Sequence, residues 1–291
     1  MAVENGTLRK PRWLNKRIDF KKCQYLTILL KNLNLNTICQ EARCPNISEC
    51  FSEGVASFLI LGRICSRNCR FCAVGKGIAQ GVDLDEPQRV AKAAKILGLK
   101  HIVLTSVTRD DLTDGGAGIF ADSIDKMRKA NKDIVVEVLV PDFKGSVKLV
   151  RKVMDAKPDI FAHNLETVPR LYAEVRKDSD YLRSLSVLES AKRLNKKIYT
   201  KSAIMLGLGE SEQEVFQLFS DLRRVKCDFL SIGQYLAPSL KHFRVKEYVQ
   251  PEKFVYYKHK AQELGFLHIE SGPYVRSSYL AHRYIQKFSS S

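Results

Sequence analysis

Two groups of three cysteines are the residues of this chain best suited to chemistry. They are Cys39, Cys44 and Cys50, and then Cys65, Cys69 and Cys72. The second group has the spacing C-x3-C-x2-C within CSRNCRFC. Thiolates are good ligands for zinc and for iron–sulfur centres. A four-coordinate site usually has a fourth protein ligand, yet no fourth cysteine stands beside either group. The sequence therefore predicts two metal sites that are each one ligand short.

Metal binding explains these cysteines better than disulfides do. The N-terminus has no apolar segment typical of a secretory signal, and no stretch approaches the roughly 20 apolar residues of a membrane span. We therefore expect a cytoplasmic protein with no membrane association, and that compartment keeps thiols reduced. Six of the eight cysteines fall within residues 39–72, and we expect Cys23 and Cys227 to be unligated thiols. The alternative is a structural zinc site at Cys65, Cys69 and Cys72 with a remote ligand.

The net charge of the chain is +16, from 48 basic and 32 acidic residues. Such a charge favours an acidic partner, either a nucleic acid or an acidic protein domain. The basic residues are spread in pairs along the chain, without a long basic tail or the stacking aromatic motif of an RNA-binding module. The sequence therefore argues against nucleic acid, and charge alone does not choose the partner.

Apolar runs alternate with helical patterns through most of the chain. Strands are predicted at 55–62, 101–107, 134–140, 160–166, 198–206 and 229–236. Helices are predicted at 86–97, 117–130, 146–156, 181–194, from Ser211 onward, and at 251–264. The SEQE sequence that begins at Ser211 fits a capping box. Six such units in strict alternation indicate an α/β fold with a parallel sheet and crossover helices.

Three folds fit this alternation: a closed eight-fold barrel, a partial barrel and a doubly wound sheet. No G-x-G-x-x-G follows the first strand, so a dinucleotide-binding sheet lacks its fingerprint. We predict a partial (β/α)6 TIM-like barrel with N- and C-terminal extensions. Residues 1–54 would form the first extension, with the upstream cysteines, residues 55–265 the barrel, and residues 266–291 the second extension.

Polar residues recur near the ends of the predicted strands. They are Thr105, Ser106, Glu137, Asn164, Lys201 and Gln234. Barrel enzymes place their chemistry at the carboxyl ends of their strands. We therefore expect these side chains at the rim of the barrel, around the loop that carries Cys65, Cys69 and Cys72.

The C-x3-C-x2-C loop after a first strand resembles the signature of the radical S-adenosylmethionine superfamily. The resemblance implies that three thiolates bind a 4Fe–4S cluster whose fourth iron is chelated by S-adenosylmethionine, which would supply the missing ligand. It also implies that Phe71 lies near the adenine and that the rim residues contact the cosubstrate or the substrate. Arg67 and Arg70 flank the thiols, where positive charge favours the thiolate form.

Further motifs are similar to those of the lipoyl synthase family, over about residues 11 to 284. They are CQEARCPNISECF, TSVTRDDLTDGGA, VLVPDF, HNLETV, GQYLAPS and VRSSY. The resemblance implies that Cys39, Cys44 and Cys50 hold an auxiliary 4Fe–4S cluster, closed by a serine of VRSSY. The family pattern favours Ser278, although spacing alone does not separate it from Ser277. It also suggests that Arg276 contacts that cluster.

The resemblance implies insertion of sulfur at C6 and C8 of an octanoyl chain that is amide-linked to a lysine of a lipoyl carrier domain. The auxiliary cluster would donate the sulfur. The expected partners are octanoylated carrier domains, of the glycine cleavage H protein or 2-oxoacid dehydrogenase E2 type, and an electron donor such as ferredoxin or flavodoxin. We expect a monomer.

Two other functions fit part of the sequence. A tRNA methylthiotransferase also has two clusters, but such enzymes have an RNA-binding domain after the barrel, and only 27 residues follow Leu264 here. A zinc-stabilised nucleic-acid-binding protein would have the cysteines and the charge without catalysis. A brown, iron-containing protein would distinguish the enzyme from the zinc protein.

Overall fold

The main sheet consists of short apolar strands, as the sequence pattern indicates. The computed structural model describes residues 3–4, 7–16, 19–52 and 56–286, so the predicted boundary between residues 54 and 55 lies outside the described residues. In chain order, strands β1 to β12 are Val3–Glu4, Thr7–Leu8, Asn36–Thr37, Ser57–Ile60, Ile64–Cys65, Gly75–Lys76, His101–Ser106, Val135–Leu139, Ile160–Ala162, Tyr199–Leu206, Phe229–Gln234 and His268–Gly272.

Helices connect the strands and begin where the sequence provides start signals. In chain order, α1 to α11 are Phe20–Asn32, Ile38–Glu41, Ile47–Ser52, Glu86–Ile96, Ala117–Ala130, Val147–Asp155, Tyr172–Val175, Tyr181–Leu194, Glu212–Arg224, Pro251–Glu263 and Arg283–Gln286. Short 3₁₀ turns lie at Arg12–Leu14, Phe143–Gly145 and Pro169–Leu171. Helix α9 begins with the predicted capping box, in which Ser211 and Glu214 satisfy each other's backbone N–H groups.

The predicted partial barrel is confirmed. One sheet runs in the order β12-β11-β10-β9-β8-β7-β4-β3, and all its neighbours are parallel except β3, which is antiparallel to β4. Within the described residues its edge strands do not pair with each other, so the barrel is open. All six predicted strands are present.

The structure adds a seventh parallel strand from the segment predicted as the C-terminal extension. Strand β12 pairs with β11 over its whole length. The sequence HIESG of this strand has only one aliphatic residue, Ile269, and His268 and Glu270 are bonded to each other at 2.9 Å. Without an apolar run the segment gave no strand pattern.

Glu137 and Lys201 occupy a different place from the one predicted. Glu137 is the middle residue of β8 and Lys201 the third of eight residues in β10, so both lie inside the barrel, below the rim. Both side chains are 0% exposed, and the Lys201 Nζ lies 3.0 Å from the Glu137 Oε1. Burial alone would raise the pKa of the Glu137 carboxyl, but the Lys201 ammonium outweighs it and holds that pKa below its ordinary value. The Tyr284 ring covers the ammonium, with 3.8 Å from Nζ to the ring centroid.

We expect Lys201→Met to lower the free energy of unfolding by about 3–5 kcal/mol, because it takes the ammonium away from the buried Glu137 carboxylate and leaves only His101 Nε2, 3.5 Å from Oε2. The double variant Glu137→Leu/Lys201→Met should recover most of that loss, since the buried charge is gone. Anaerobic urea denaturation followed by circular dichroism measures both. Lys197→Met, at an exposed lysine just before β10, is the control and should change stability by at most about 0.5 kcal/mol. A Lys201→Met variant as stable as this control would contradict the prediction.

Candidate metal centre

Both groups of cysteines line one cavity at the carboxyl ends of the parallel strands. The cavity has a volume of about 560 Å³. Its wall includes the residues that end β7, β8 and β11 and those that follow β9, together with all six clustered cysteines and the 276–278 segment. Cys50 and Cys65, the nearest members of the two groups, lie 15 positions apart in sequence, and the fold brings both groups to the same space. Cys23 and Cys227 are buried elsewhere and do not line it.

The loop carrying Cys65, Cys69 and Cys72 is held at both its base and its tip. Strands β5 and β6 pair at the base, where Cys65 lies opposite Lys76. The Ser66 backbone N–H and hydroxyl both donate to the Thr108 carbonyl, at 2.9 and 3.0 Å. At the tip, the Arg70 N–H donates to the Val175 carbonyl at 2.9 Å. The backbone around the thiols is therefore fixed by neighbouring loops before any ligand binds.

Arg67 anchors this loop instead of acting on the thiols as predicted. Its guanidinium contacts the Asp110 carboxylate through two nitrogens, at 2.6 and 3.0 Å, and the buried Asp142 at 2.6 Å. Arg183 contacts the other oxygen of Asp142 at 2.7 Å. The Arg70 guanidinium lies over the Phe243 ring, 5.4 Å from its centroid. Neither arginine has its charge directed at the thiols, because both have partners on other loops.

Burial dominates the ionisation of the Cys69 and Cys72 thiols. It raises the pKa of the Cys69 thiol to about 12, and the nearby Arg176 guanidinium only partly opposes it. Burial likewise raises the pKa of the Cys72 thiol to about 11. These thiols are therefore neutral at physiological pH until a metal displaces their protons.

The upstream cysteines lie on two short helices and the turn between them. Cys39 is in α2 and Cys50 is in α3. Cys44 lies in the turn, and its N–H donates to the Cys39 carbonyl at 2.9 Å. Burial, with a smaller contribution from the neighbouring thiols of the group, raises the pKa of Cys39 and of Cys50 to about 12. The Arg276 guanidinium acts on Cys44 in the opposite direction.

The 274–279 segment reaches the cavity because Gly233 lets it approach β11 closely. A Cβ atom at Gly233 would lie 2.1 Å from the Val275 carbonyl oxygen, so any other residue would push the segment away. The Ser277 hydroxyl donates to the Asn164 Oδ1 at 2.9 Å. Ser278 also lines the cavity, and its hydroxyl has no hydrogen bond to a described residue. Of the two serines, Ser278 therefore has the hydroxyl available for a ligand.

The other predicted residues differ in whether they line the cavity and whether their polar groups already have hydrogen-bond partners. Phe71, Thr105, Ser106, Asn164 and Gln234 all line the cavity, whereas Glu137 and Lys201 do not. The Thr105 hydroxyl donates to the Leu139 carbonyl at 3.1 Å, and the Gln234 amide is bonded to backbone groups on both sides. Ser106 lines the cavity, and its hydroxyl is buried without a hydrogen-bond partner among the described residues.

Three more titratable residues line the cavity, namely Glu166, Arg176 and His163. The Glu166 carboxylate accepts from the Asn164 amide at 3.0 Å, and burial raises its pKa. Arg176 donates to His163 Nε2 at 3.4 Å. Burial and this guanidinium lower the pKa of His163 to about 3, so the neutral ring donates from Nδ1 to the Val140 carbonyl at 2.8 Å. HNLE was visible in the sequence, but nothing around Arg176 indicated that it reaches this cavity.

The donor sets fit iron–sulfur clusters better than single ions. Among the described residues, no three His, Cys, Asp or Glu side chains converge closely enough to hold one metal ion. Each group nevertheless presents three thiols to the same cavity, and thiolates are the usual ligands of multi-iron clusters, which keep their ligands farther apart than one ion does. Cys65, Cys69 and Cys72 would hold one cluster, and Cys39, Cys44, Cys50 and Ser278 the other.

Comparisons with known proteins agree with the sequence resemblance. The chain matches the family model described as the Radical SAM superfamily over residues 59–222. Lipoyl synthases from Caldanaerobacter subterraneus subsp. tengcongensis and Caldicellulosiruptor saccharolyticus are 55% and 54% identical to it, each over 94% of this chain and 96% of the relative.

Two solved structures share the fold. Methylornithine synthase has a TM-score of 0.55 at 14% identity, covering 82% of this chain and 73% of that chain. Streptococcus suis SuiB bound to its precursor peptide has a TM-score of 0.56 at 15% identity, covering 87% and 61%. The described helices are each too short or too polar to cross a lipid bilayer. The predicted family and enzyme class are confirmed: this chain belongs to the lipoyl synthase family of the radical S-adenosylmethionine superfamily.

Proposed function

We propose that this protein inserts two sulfur atoms at C6 and C8 of an octanoyl chain that is amide-linked to a lysine of a lipoyl carrier domain. One observation carries the proposal: two groups of three thiols and a serine hydroxyl line a single cavity. One group would activate the substrate, and the other would hold the sulfur that is donated. A protein needing a single structural metal would have no use for this second set of ligands.

The substrate itself requires two metal groups of different kinds. Saturated carbons such as C6 and C8 have no acidic proton, so general-base catalysis cannot activate them. When bound, the first 4Fe–4S cluster and S-adenosylmethionine supply a radical that removes hydrogen, and the auxiliary cluster supplies sulfide. The chain contributes the positions: Cys65, Cys69 and Cys72 on a fixed loop, and the upstream group beside Ser278.

The polar residues of the rim would bind and orient the ligands between these groups. Ser106 has an unpartnered hydroxyl in the cavity wall. Asn164 bonds both Glu166 and Ser277, so it ties the end of β9 to the C-terminal segment. Arg276 lies beside Cys44, where its charge favours the thiolate form of that ligand. Phe71 offers an aromatic face for the adenine.

The partners follow from the chemistry and from the charge. The carrier domain must present its octanoyl-lysine to the cavity, and a net charge of +16 would steer an acidic domain toward this surface. A ferredoxin or flavodoxin would supply electrons. The cytoplasm, which keeps all eight thiols reduced, would be the compartment.

Anaerobic incubation with dithionite, S-adenosylmethionine and an octanoyl-lysine peptide tests the proposal. Mass spectrometry should show a product with two added sulfur atoms. Cys69→Ala should abolish both 5′-deoxyadenosine and product, whereas Cys44→Ala should still form deoxyadenosine without product, because it removes only the sulfur source. Cys227→Ala, at a buried thiol outside the cavity, is the control and should keep both. If ³⁴S-sulfide built into the auxiliary cluster never reaches the product, the proposal is wrong.

The two adjacent serines should differ in their importance. Ser278→Ala should lower product formation by about tenfold or more and reduce the iron retained by the upstream cysteines, because it removes a ligand. Ser277→Ala should keep that iron, since its hydroxyl bonds Asn164. Iron and sulfide analysis of anaerobically purified variants, alongside the peptide assay, measures both effects. Loss of iron in Ser277→Ala but not in Ser278→Ala would reverse the assignment.

Salt should slow turnover on a whole octanoylated carrier domain much more than turnover on the peptide. Salt screens the long-range attraction between a basic enzyme and an acidic domain, but a short peptide has little charge to screen. The measurement is the initial rate on both substrates at rising potassium chloride. Equal slowing on the two substrates would contradict electrostatic steering of the carrier domain.

A further inference from the structure

A second, open pocket lies on the outer side of the loop that carries Cys65, Cys69 and Cys72. We call it the outer basic pocket, and its charged lining consists of Arg70, Lys76, Lys177, Lys241 and His242. No acidic side chain of the described residues lines it. Arg70 and the three lysines are all exposed, and none forms a salt bridge with a described residue. This concentration of unpaired positive charge favours an acidic partner.

Only a thin wall separates this pocket from the inner cavity. Cys72, Ala73 and Val74 line both spaces. The imidazole Nε2 of His242 lies 3.2 Å from the Cys72 carbonyl oxygen, and its Nδ1 is bonded to the Ser239 hydroxyl at 2.9 Å. A hydrogen-bonded path therefore runs from the surface to the backbone of a predicted cluster ligand.

Exposed apolar side chains stand beside two of the pocket's lysines in sequence. Ile78, two residues after Lys76, is 98% exposed, and Leu240, next to Lys241, is 86% exposed. Large apolar side chains exposed to this degree, next to unpaired charges, are the features of a surface that binds another protein. A small anion would bind the positive charges, but it would not bury the apolar side chains of Ile78 and Leu240.

We propose that the outer basic pocket is the docking surface for an acidic one-electron-donor protein that reduces the cluster held by Cys65, Cys69 and Cys72. The inference rests on the proposed function, because only a redox cluster at these cysteines needs an electron. In the step, the reduced donor loses one electron and the cluster gains it, with no bond made or broken in the protein. The donor's negative surface would face the lysines, and its redox group would approach Cys72.

The wall at residues 72–74 distinguishes an electron donor from the carrier domain. An octanoyl-lysine arm needs an opening into the inner cavity, and this wall closes the pocket floor with packed side chains and backbone. An electron needs only a short distance and no opening. The same geometry keeps the donor outside while the substrate occupies the inner cavity.

The test compares two variants of equal charge in the cluster-loaded protein under anaerobic conditions. Lys177→Glu/Lys241→Glu reverses two charges of the outer basic pocket. Lys132→Glu/Lys196→Glu makes the same change at exposed lysines in loops at the other end of the strands, before β8 and β10. An acidic flavodoxin, reduced and oxidised, is the probe. Its dissociation constant and the stopped-flow rate of flavin oxidation by the protein are measured at low and high salt.

We expect the pocket variant to weaken flavodoxin binding and to slow flavin oxidation by about tenfold at low salt, with the difference shrinking at high salt. The control variant should bind like the unchanged protein, and dithionite-driven deoxyadenosine formation should be the same in all three. Equal binding of flavodoxin by the two variants would overturn the docking proposal. So would a pocket variant that binds an octanoylated carrier domain more weakly but binds flavodoxin as the unchanged protein does. Failure of the unchanged protein to add sulfur with dithionite would instead contradict the proposed function.

Discussion

The site depends on contact between the two ends of the chain at the wall of the cavity. The Asn46 side-chain amide donates to the Tyr274 carbonyl at 2.6 Å, and the Tyr279 hydroxyl donates to Glu49 at 2.9 Å. These partners are 228 and 230 residues apart, so their contact depends on the sheet that lies between them in sequence. Gly233 leaves room for the returning segment. The upstream cysteines and the serines are therefore brought together by the complete fold, and neither end could form the second metal site alone.

Burial sets the electrostatics of this cavity, and each group of thiols has one arginine near it, the buried Arg176 or the partly buried Arg276. Arg176 acts on Cys69 and Arg276 acts on Cys44. In both cases the guanidinium reduces the effect of burial but does not overcome it, since the pKa of each thiol stays raised. Binding of iron would therefore displace protons, and each arginine would then face the negative charge of the bound thiolates. Each of the two proposed clusters would thus have a positive neighbour.

Local patterns were the part of this structure that the sequence could predict. The cysteine spacings, six apolar strands and the capping box at Ser211 each depend on neighbouring residues, and all are present. The pattern does not show how far along a strand a polar side chain lies. Glu137 and Lys201 were predicted at strand ends, but they pair inside the barrel. Strand β12 had no apolar run. Arg176 comes to the cavity from the end of α7, and no short-range pattern encodes that contact. The family motifs supplied the serine ligand, which spacing alone could not.

The loop that carries Cys65, Cys69 and Cys72 has to be rigid because it separates two different environments. Its inner side faces the buried cavity, where a radical must be kept from water, and its outer side faces solvent and positive charge. Contacts from the loops after β7 and β8 hold it through Ser66 and Arg67, and the 239–243 segment holds its other side through His242. A flexible loop would open the wall at residues 72–74 to water and to the donor alike. The buried Arg67–Asp142 pair would therefore help to keep the proposed reduction and the proposed substrate chemistry on opposite sides of one short segment.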